Sequence, residues 1–105
     1  MSAEFYLRFK DLEWYDNHKN VIIRKILMLD TFVRKSDNKI WFKGLESEDN
    51  PYYDVRLFLD SKNSVFLEIS WHPPSINISL KLIFDWLRQE TSIVIEDDDG
   101  EESGW

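Results

Sequence analysis

Residues 53–71 carry the clearest hydrophobic pattern, two alternating apolar and polar segments on either side of Ser61-Lys62-Asn63. Such alternation predicts half-buried strands, and a three-residue loop with Asn63 in the left-handed region is a common hairpin closure. The outer face of this hairpin then pairs opposite charges and two aromatic rings, Arg56 with Glu68 and Phe58 with Phe66. A shift by one residue would lose both pairs. The inner face pairs Tyr53 with Trp71, Val55 with Ile69, and Leu57 with Leu67.

Residues 17–35 leave two alternatives open. Apolar positions such as Ile22, Ile26 and Val33 fit one helical face, and Asp16 or Asn17 can cap its N-terminus. Alternatively, the second half of the segment pairs with residues 39–43 as a hairpin, TFVRK-SDN-KIWFK. We favour the helix.

The other elements are simpler to predict. Alternation in FYLRF (5–9), the run KIWFKGL (39–45) and the apolar end SIVIE (92–96) each predict a strand. Residues 75–90 predict a helix with Ser75 as its cap, although residues 76–82 also alternate as a strand would. The order β-α-β-β-β-α-β predicts an α+β domain over residues 1–95, with two helices on one face of a mixed or antiparallel sheet. Residues 96–105 then form an acidic C-terminal extension.

Charge is concentrated at the C-terminal end. The chain has a net charge of −7, of which residues 96–105 carry −6 through six carboxylates and no Lys or Arg. The preceding 95 residues carry 13 positive and 14 negative charges and are therefore almost neutral. A basic stretch from His18 to Lys43 and an acidic stretch from Gly44 to Ser70 divide this body.

Composition excludes several classes of protein. The chain has no Cys, which rules out disulfides and Cys-based zinc sites and fits a cytoplasmic location. Its first residues lack the basic and apolar regions of a signal peptide, and no apolar run is long enough to span a membrane. Five Trp among 16 aromatic residues supply large rings for a core or an interface.

No motif predicts catalysis or a cofactor. The two histidines, His18 and His72, have no nucleophile and acid placed beside them by sequence, and the three glycines are too scattered for a phosphate loop. An EF-hand alignment with Gly100 at its sixth position puts Ile95 at the first ligand position and runs past the chain end for the last one. We therefore predict a non-enzyme without a metal or cofactor. Net acidity also disfavours direct nucleic-acid binding.

Clustered carboxylates can serve as a contact surface for a basic partner, and an aromatic anchor adds lasting affinity. The acidic end could instead be a solvated tail, or could lie against the basic stretch of its own chain. The Phe58/Phe66 pair is exposed if both helices cover the other sheet face, unless a third layer or a homodimer covers it.

The chain is small, α+β, acidic, rich in aromatic residues and without catalytic motifs. In this overall profile it resembles the immunity proteins of bacterial toxin–immunity pairs, such as those of contact-dependent growth inhibition. The resemblance spans the chain but rests on no motif, so it assigns no residue. It implies binding to a cognate toxin, often a nuclease, and occlusion of its active site. A phage-encoded nucleic-acid mimic and an adaptor domain remain alternatives. The residues that we expect to contact the partner are Glu96, Asp97, Asp98, Asp99, Glu101, Glu102, Trp105, Glu46, Glu48, Asp49, Tyr52, Phe58 and Phe66.

Overall fold

A computed structural model describes residues 3–46, 53–59 and 64–105. These residues form six strands and two helices, which confirms the α+β class with one strand more than predicted. In chain order the elements are β1 (Ala3–Phe9), α1 (Leu12–Leu27), β2 (Phe32–Ser36), β3 (Lys39–Phe42), β4 (Val55–Leu59), β5 (Ser64–Ile69), α2 (Pro74–Glu90) and β6 (Ile93–Asp97).

The six strands form one sheet in the order β2-β3-β4-β5-β1-β6. Every neighbouring pair is antiparallel, so the mixed alternative does not apply. β1 lies between β5 and β6, which places the first and last strands of the described chain side by side.

The β4–β5 pairing confirms the predicted hairpin register. Arg56 lies opposite Glu68 and Phe58 opposite Phe66. The connection 61–63 lies outside the described residues. The predicted inner pair of Tyr53 with Trp71 is wrong: pairing stops at Val55, the side chain of Trp71 is 50% exposed, and the Tyr53 hydroxyl donates to Glu68 on the outer face.

The first helix differs from the prediction at both ends. α1 begins at Leu12, because the carboxylate of Asp11 accepts a hydrogen bond from the backbone N–H of Trp14. It ends at Leu27, and residues 32–36 form β2, paired with β3. The caps predicted at Asp16 and Asn17 are therefore wrong, and the hairpin alternative for the second half of this segment is confirmed.

The core lies between the sheet and both helices. Ile22 and Ile26 of α1 and Ile83 and Leu87 of α2 belong to the same buried cluster as the inner sheet residues. Along β4 and β5, buried and half-buried residues alternate, so only one sheet face joins this cluster. Among the described residues, no helix is long and apolar enough to cross a lipid bilayer.

Candidate functional site

The acidic C-terminal residues fold back on β6 instead of leading away from it. Glu102 forms an antiparallel bridge with Glu96, and the backbone N–H of Ser103 donates to the carbonyl of Ile95 at 2.8 Å. Gly100 occupies the left-handed region, with φ of 81°, where a side chain would be strained. We call residues 96–103 the acidic hairpin. It gives the outer edge of β6 a short hydrogen-bonded neighbour.

The side chain of Asp97 organises the turn of this hairpin. Its Oδ1 accepts hydrogen bonds from the backbone N–H groups of Asp99 and Glu101, both at 3.0 Å. The carboxylate oxygens of Asp97, Asp98 and Asp99 lie within 4.8 Å of one another. Because Asp98 and Asp99 are exposed and Asp97 already binds two backbone groups, the turn is an open anionic cluster rather than an enclosed cation cage.

Trp105 packs on the body of its own chain. Its ring makes edge-on contacts with Phe5, His72 and Phe84, at centroid distances of 6.2, 5.6 and 6.2 Å. Arg88 also donates a hydrogen bond to its carbonyl oxygen. The ring stays half-buried and lines a cleft of about 310 Å³ beside α2. Any partner contact by Trp105 would therefore be made by a docked ring.

Phe58 and Phe66 lie at the centre of the sheet face that the helices leave open. Their ring centroids are 5.4 Å apart, and the ring of Tyr6 continues the row at 5.2 Å from Phe66. The ammonium of Lys39 lies 5.8 Å from the Phe58 centroid. This aromatic row crosses β4, β5 and β1.

A salt bridge lies one row away from these rings. Nη2 of Arg56 donates to both carboxylate oxygens of Glu68 at 2.9 Å, and the guanidinium lies over the rings of Tyr53 and Phe58. The Nε of Arg56 is buried and has no hydrogen-bond partner among the described residues. The Arg56–Glu68 salt bridge is thus partly shielded from water. In such a partly buried environment, opposite charges attract each other more strongly than they do in water.

Glu46 lies elsewhere, at the N-terminus of α2. Its carboxylate accepts hydrogen bonds from the backbone N–H of Ser75, at 3.0 Å, and from the Ser75 hydroxyl. The hydroxyl contact lowers the pKa of Glu46. The helix begins at Pro74 without a side-chain cap of its own, so the predicted cap at Ser75 is wrong and Glu46 satisfies this end. Glu48, Asp49 and Tyr52 lie outside the described residues.

An apolar cleft on the helix side was not predicted. Met28, Leu45, Ile78 and Leu82 line about 190 Å³ of space and are all 59–80% exposed. The signal was present in residues 76–82, where alternation resembled a strand. On a helix, that pattern adds a second apolar stripe through Ile78 and Leu82 beside the buried one.

Nδ1 of each histidine lies within hydrogen-bonding distance of a group near it in sequence. The ring of His18 stacks on Trp14 at 4.2 Å, and its Nδ1 lies 2.7 Å from the Trp14 carbonyl oxygen. Nδ1 of His72 lies 3.1 Å from the side-chain oxygen of Asn77. Within the described ranges, neither ring hydrogen-bonds a serine or threonine hydroxyl.

Comparison with known proteins gave no match: no protein-family model fits the chain, and no curated protein or solved structure is significantly similar to it.

Proposed function

We propose that this protein is a non-enzymatic inhibitor that binds a basic protein, foremost an immunity protein that neutralises a cognate bacterial toxin nuclease in the cytoplasm. The main support for this proposal is the ordered structure of the acidic hairpin. Its carboxylates belong to a hydrogen-bonded segment attached to the sheet, so their positions are set before a partner arrives.

The charge of the hairpin is largely uncompensated. Glu96 pairs with Arg8, whereas the other five carboxylates form no ion pair with any described residue. Fixed charges of one sign raise encounter rates with an oppositely charged protein by about 10- to 1,000-fold and disfavour partners of the same sign. Such a surface selects a basic partner.

A nuclease suits this surface because its cleft must attract a polyanion. Carboxylates held close together compete for the same cationic side chains that bind phosphates. Charge alone gives little lasting affinity in salt, so desolvated contacts must add to it. The half-buried ring of Trp105 follows the hairpin directly and is the nearest aromatic surface in sequence.

The test uses the purified protein as bait in a lysate of its source organism, with captured proteins identified by mass spectrometry. The triple variant Asp98→Asn/Glu101→Gln/Glu102→Gln removes exposed hairpin charges but keeps Asp97, which orders the turn. The control Glu13→Gln/Asp16→Asn/Glu90→Gln removes three carboxylates from the helices. We expect the wild type and the control to retain one basic protein, whose nuclease activity they inhibit stoichiometrically, and the hairpin variant to lose it.

The salt dependence of binding tests whether the hairpin charges contribute to affinity. Affinity of the wild type should fall steeply as salt concentration rises, and the hairpin variant should show a shallower slope. Equal affinity and equal slope for wild type and hairpin variant would show that the hairpin does not bind the partner.

One observation favours a second candidate, an adaptor domain in a larger assembly. The apolar cleft of Met28, Leu45, Ile78 and Leu82 exposes contiguous apolar side chains and includes no residue of the acidic hairpin. Exposed apolar patches of this kind often mark protein-binding sites. A captured partner that has no toxic or enzymatic activity, and whose binding is lost in Ile78→Asp but kept in the hairpin variant, would support this candidate over the inhibitor.

A further inference from the structure

The open sheet face is divided into two halves of opposite charge. On the β2–β4 half, the described charged residues that face outward are all cationic: Arg34, Lys39 and Arg56. On the β5–β1–β6 half, Glu68, Glu4 and Glu96 face outward, together with one cation, Arg8, which pairs with Glu96. The boundary between the halves runs between β4 and β5, through the Phe58–Phe66 contact.

This arrangement is complementary to itself. Consider two copies packed face to face and related by a two-fold axis that runs parallel to the strands, midway between the two sheets and above the β4–β5 boundary. This axis places β4 of one copy over β5 of the other, and β3 of one copy over β1 of the other. Phe58 then meets Phe66 of the second copy, at the centre of the contact. Lys39 lies over Tyr6 of the second copy, between Glu4 and Arg8, which are each two residues along the same strand. Arg8 is already paired with Glu96, so Glu4 is the open partner for Lys39.

We propose that the open sheet face binds a second copy of this chain, in a two-fold symmetric sheet-on-sheet dimer. Among the described residues, no element covers this face, and its central rings are only half-buried. Two sheets that pack face to face at about −30° would close the aromatic row from both sides. Every cation–carboxylate contact would occur twice, as symmetry requires of such an interface.

The size of the face predicts a weak dimer. Six strands about 4.8 Å apart and about 17 Å long would bury roughly 1,000 Å² in total from both copies. This value is at the lower limit for specific interfaces, so we expect association at micromolar rather than nanomolar concentration. Nucleic acid fits the same face poorly, because its carboxylate half would repel phosphates.

A charge-swap experiment tests the symmetry directly. Lys39→Glu and Glu4→Lys both change exposed side chains that form no ion pair with any other residue in the described ranges. Each single variant should weaken its own homodimer about tenfold or more, because like charges then face each other twice. An equimolar mixture should recover association, since a mixed dimer has an opposite-charge contact at both positions.

Sedimentation equilibrium of the purified protein alone measures these constants, against a monomer of 12.7 kDa. Lys25→Glu and Glu13→Lys, both on α1, are the matched controls and should dimerise as the wild type does; Lys25 is exposed and lies over the ring of Trp86, much as Lys39 lies over that of Phe58. A wild type that stays monomeric up to about millimolar concentration would overturn the proposal, as would a dimer that neither swap variant weakens. The hairpin carboxylates 97–102 are unchanged throughout, so the outcome is separate from the test of partner binding.

Discussion

Trp105 should hold the acidic hairpin against the body of the protein. Its half-buried ring contacts three aromatic rings, and complete burial of a Trp is worth about 3–5 kcal/mol relative to Ala. For a half-buried ring we therefore expect Trp105→Ala to lower the free energy of unfolding by about 2 kcal/mol. In a domain of this size that corresponds to a melting temperature lower by about 10 °C.

Urea unfolding followed by far-UV circular dichroism measures the global effect, and amide hydrogen exchange locates it. The backbone N–H groups of Ser103 and Asp97 close the hairpin and should exchange faster in the variant. Trp71→Ala is the matched control. Trp71 is 50% exposed and makes no ring contact with any other described residue, so its replacement should cost less than about 1 kcal/mol.

Two results would show that the Trp105 ring does not hold the acidic hairpin in place. One is an unfolding free energy equal to that of the wild type with unchanged protection of Ser103, because the hairpin would then hold its place without the ring. The other is an equal loss of stability in the Trp71 control, which would assign the effect to removal of any tryptophan. Because loss of the ring would release the acidic hairpin, Trp105→Ala should also weaken binding to the basic partner.

Three further predictions concern the junction between β3, β4 and α2. Asp54→Ala should lower the unfolding free energy by about 2 kcal/mol, because the buried N–H of Gly44 loses its carboxylate acceptor at 2.7 Å, and Asp54→Asn should cost less in the same urea titration. Gly44→Ala should lower the melting temperature by several degrees, since its Cβ would lie 2.6 Å from Cγ of Pro73. Glu46→Gln should destabilise the protein at neutral pH but not at low pH. Because the pKa of Glu46 is lower in the folded protein than its usual value of 4.5, the ionised carboxylate stabilises the fold at pH values above 4.5. This contribution disappears as the pH falls through the folded pKa. Unfolding curves of wild type and Glu46→Gln should therefore converge in acid.

The hairpin of β4 and β5 could be predicted because two independent cross-strand pairs required the same register. A charge pair and an aromatic pair agreed, and each alternative register lost both. The limits of α1 could not be predicted in the same way. Phe32 and Val33 continue the apolar spacing of the helix, and only pairing of Phe32 with Phe42, which lies on a separate segment, makes them a strand.

The structure of the candidate site could likewise be predicted only in part from the sequence. Clustering of the acids was evident from composition, but the fold of the acidic hairpin depends on hydrogen bonds between Asp97 and backbone groups that spacing alone does not reveal. Glu46 was predicted only as a contact for a partner, yet it hydrogen-bonds to Ser75, 29 residues later in the chain. Contacts between side chains so distant in sequence leave no local periodic signal.

The position of β1 has a consequence for how the protein folds. Phe5 pairs with Leu67 on one side and with Asp97 on the other, so the first strand has no sheet neighbour until β5, which begins at Ser64, is present. Closing such long loops costs entropy before any contact repays it, which places the protein among slower-folding small domains. Fragments that end before β5 would expose the apolar side of β1 and should be retained by chaperones or aggregate.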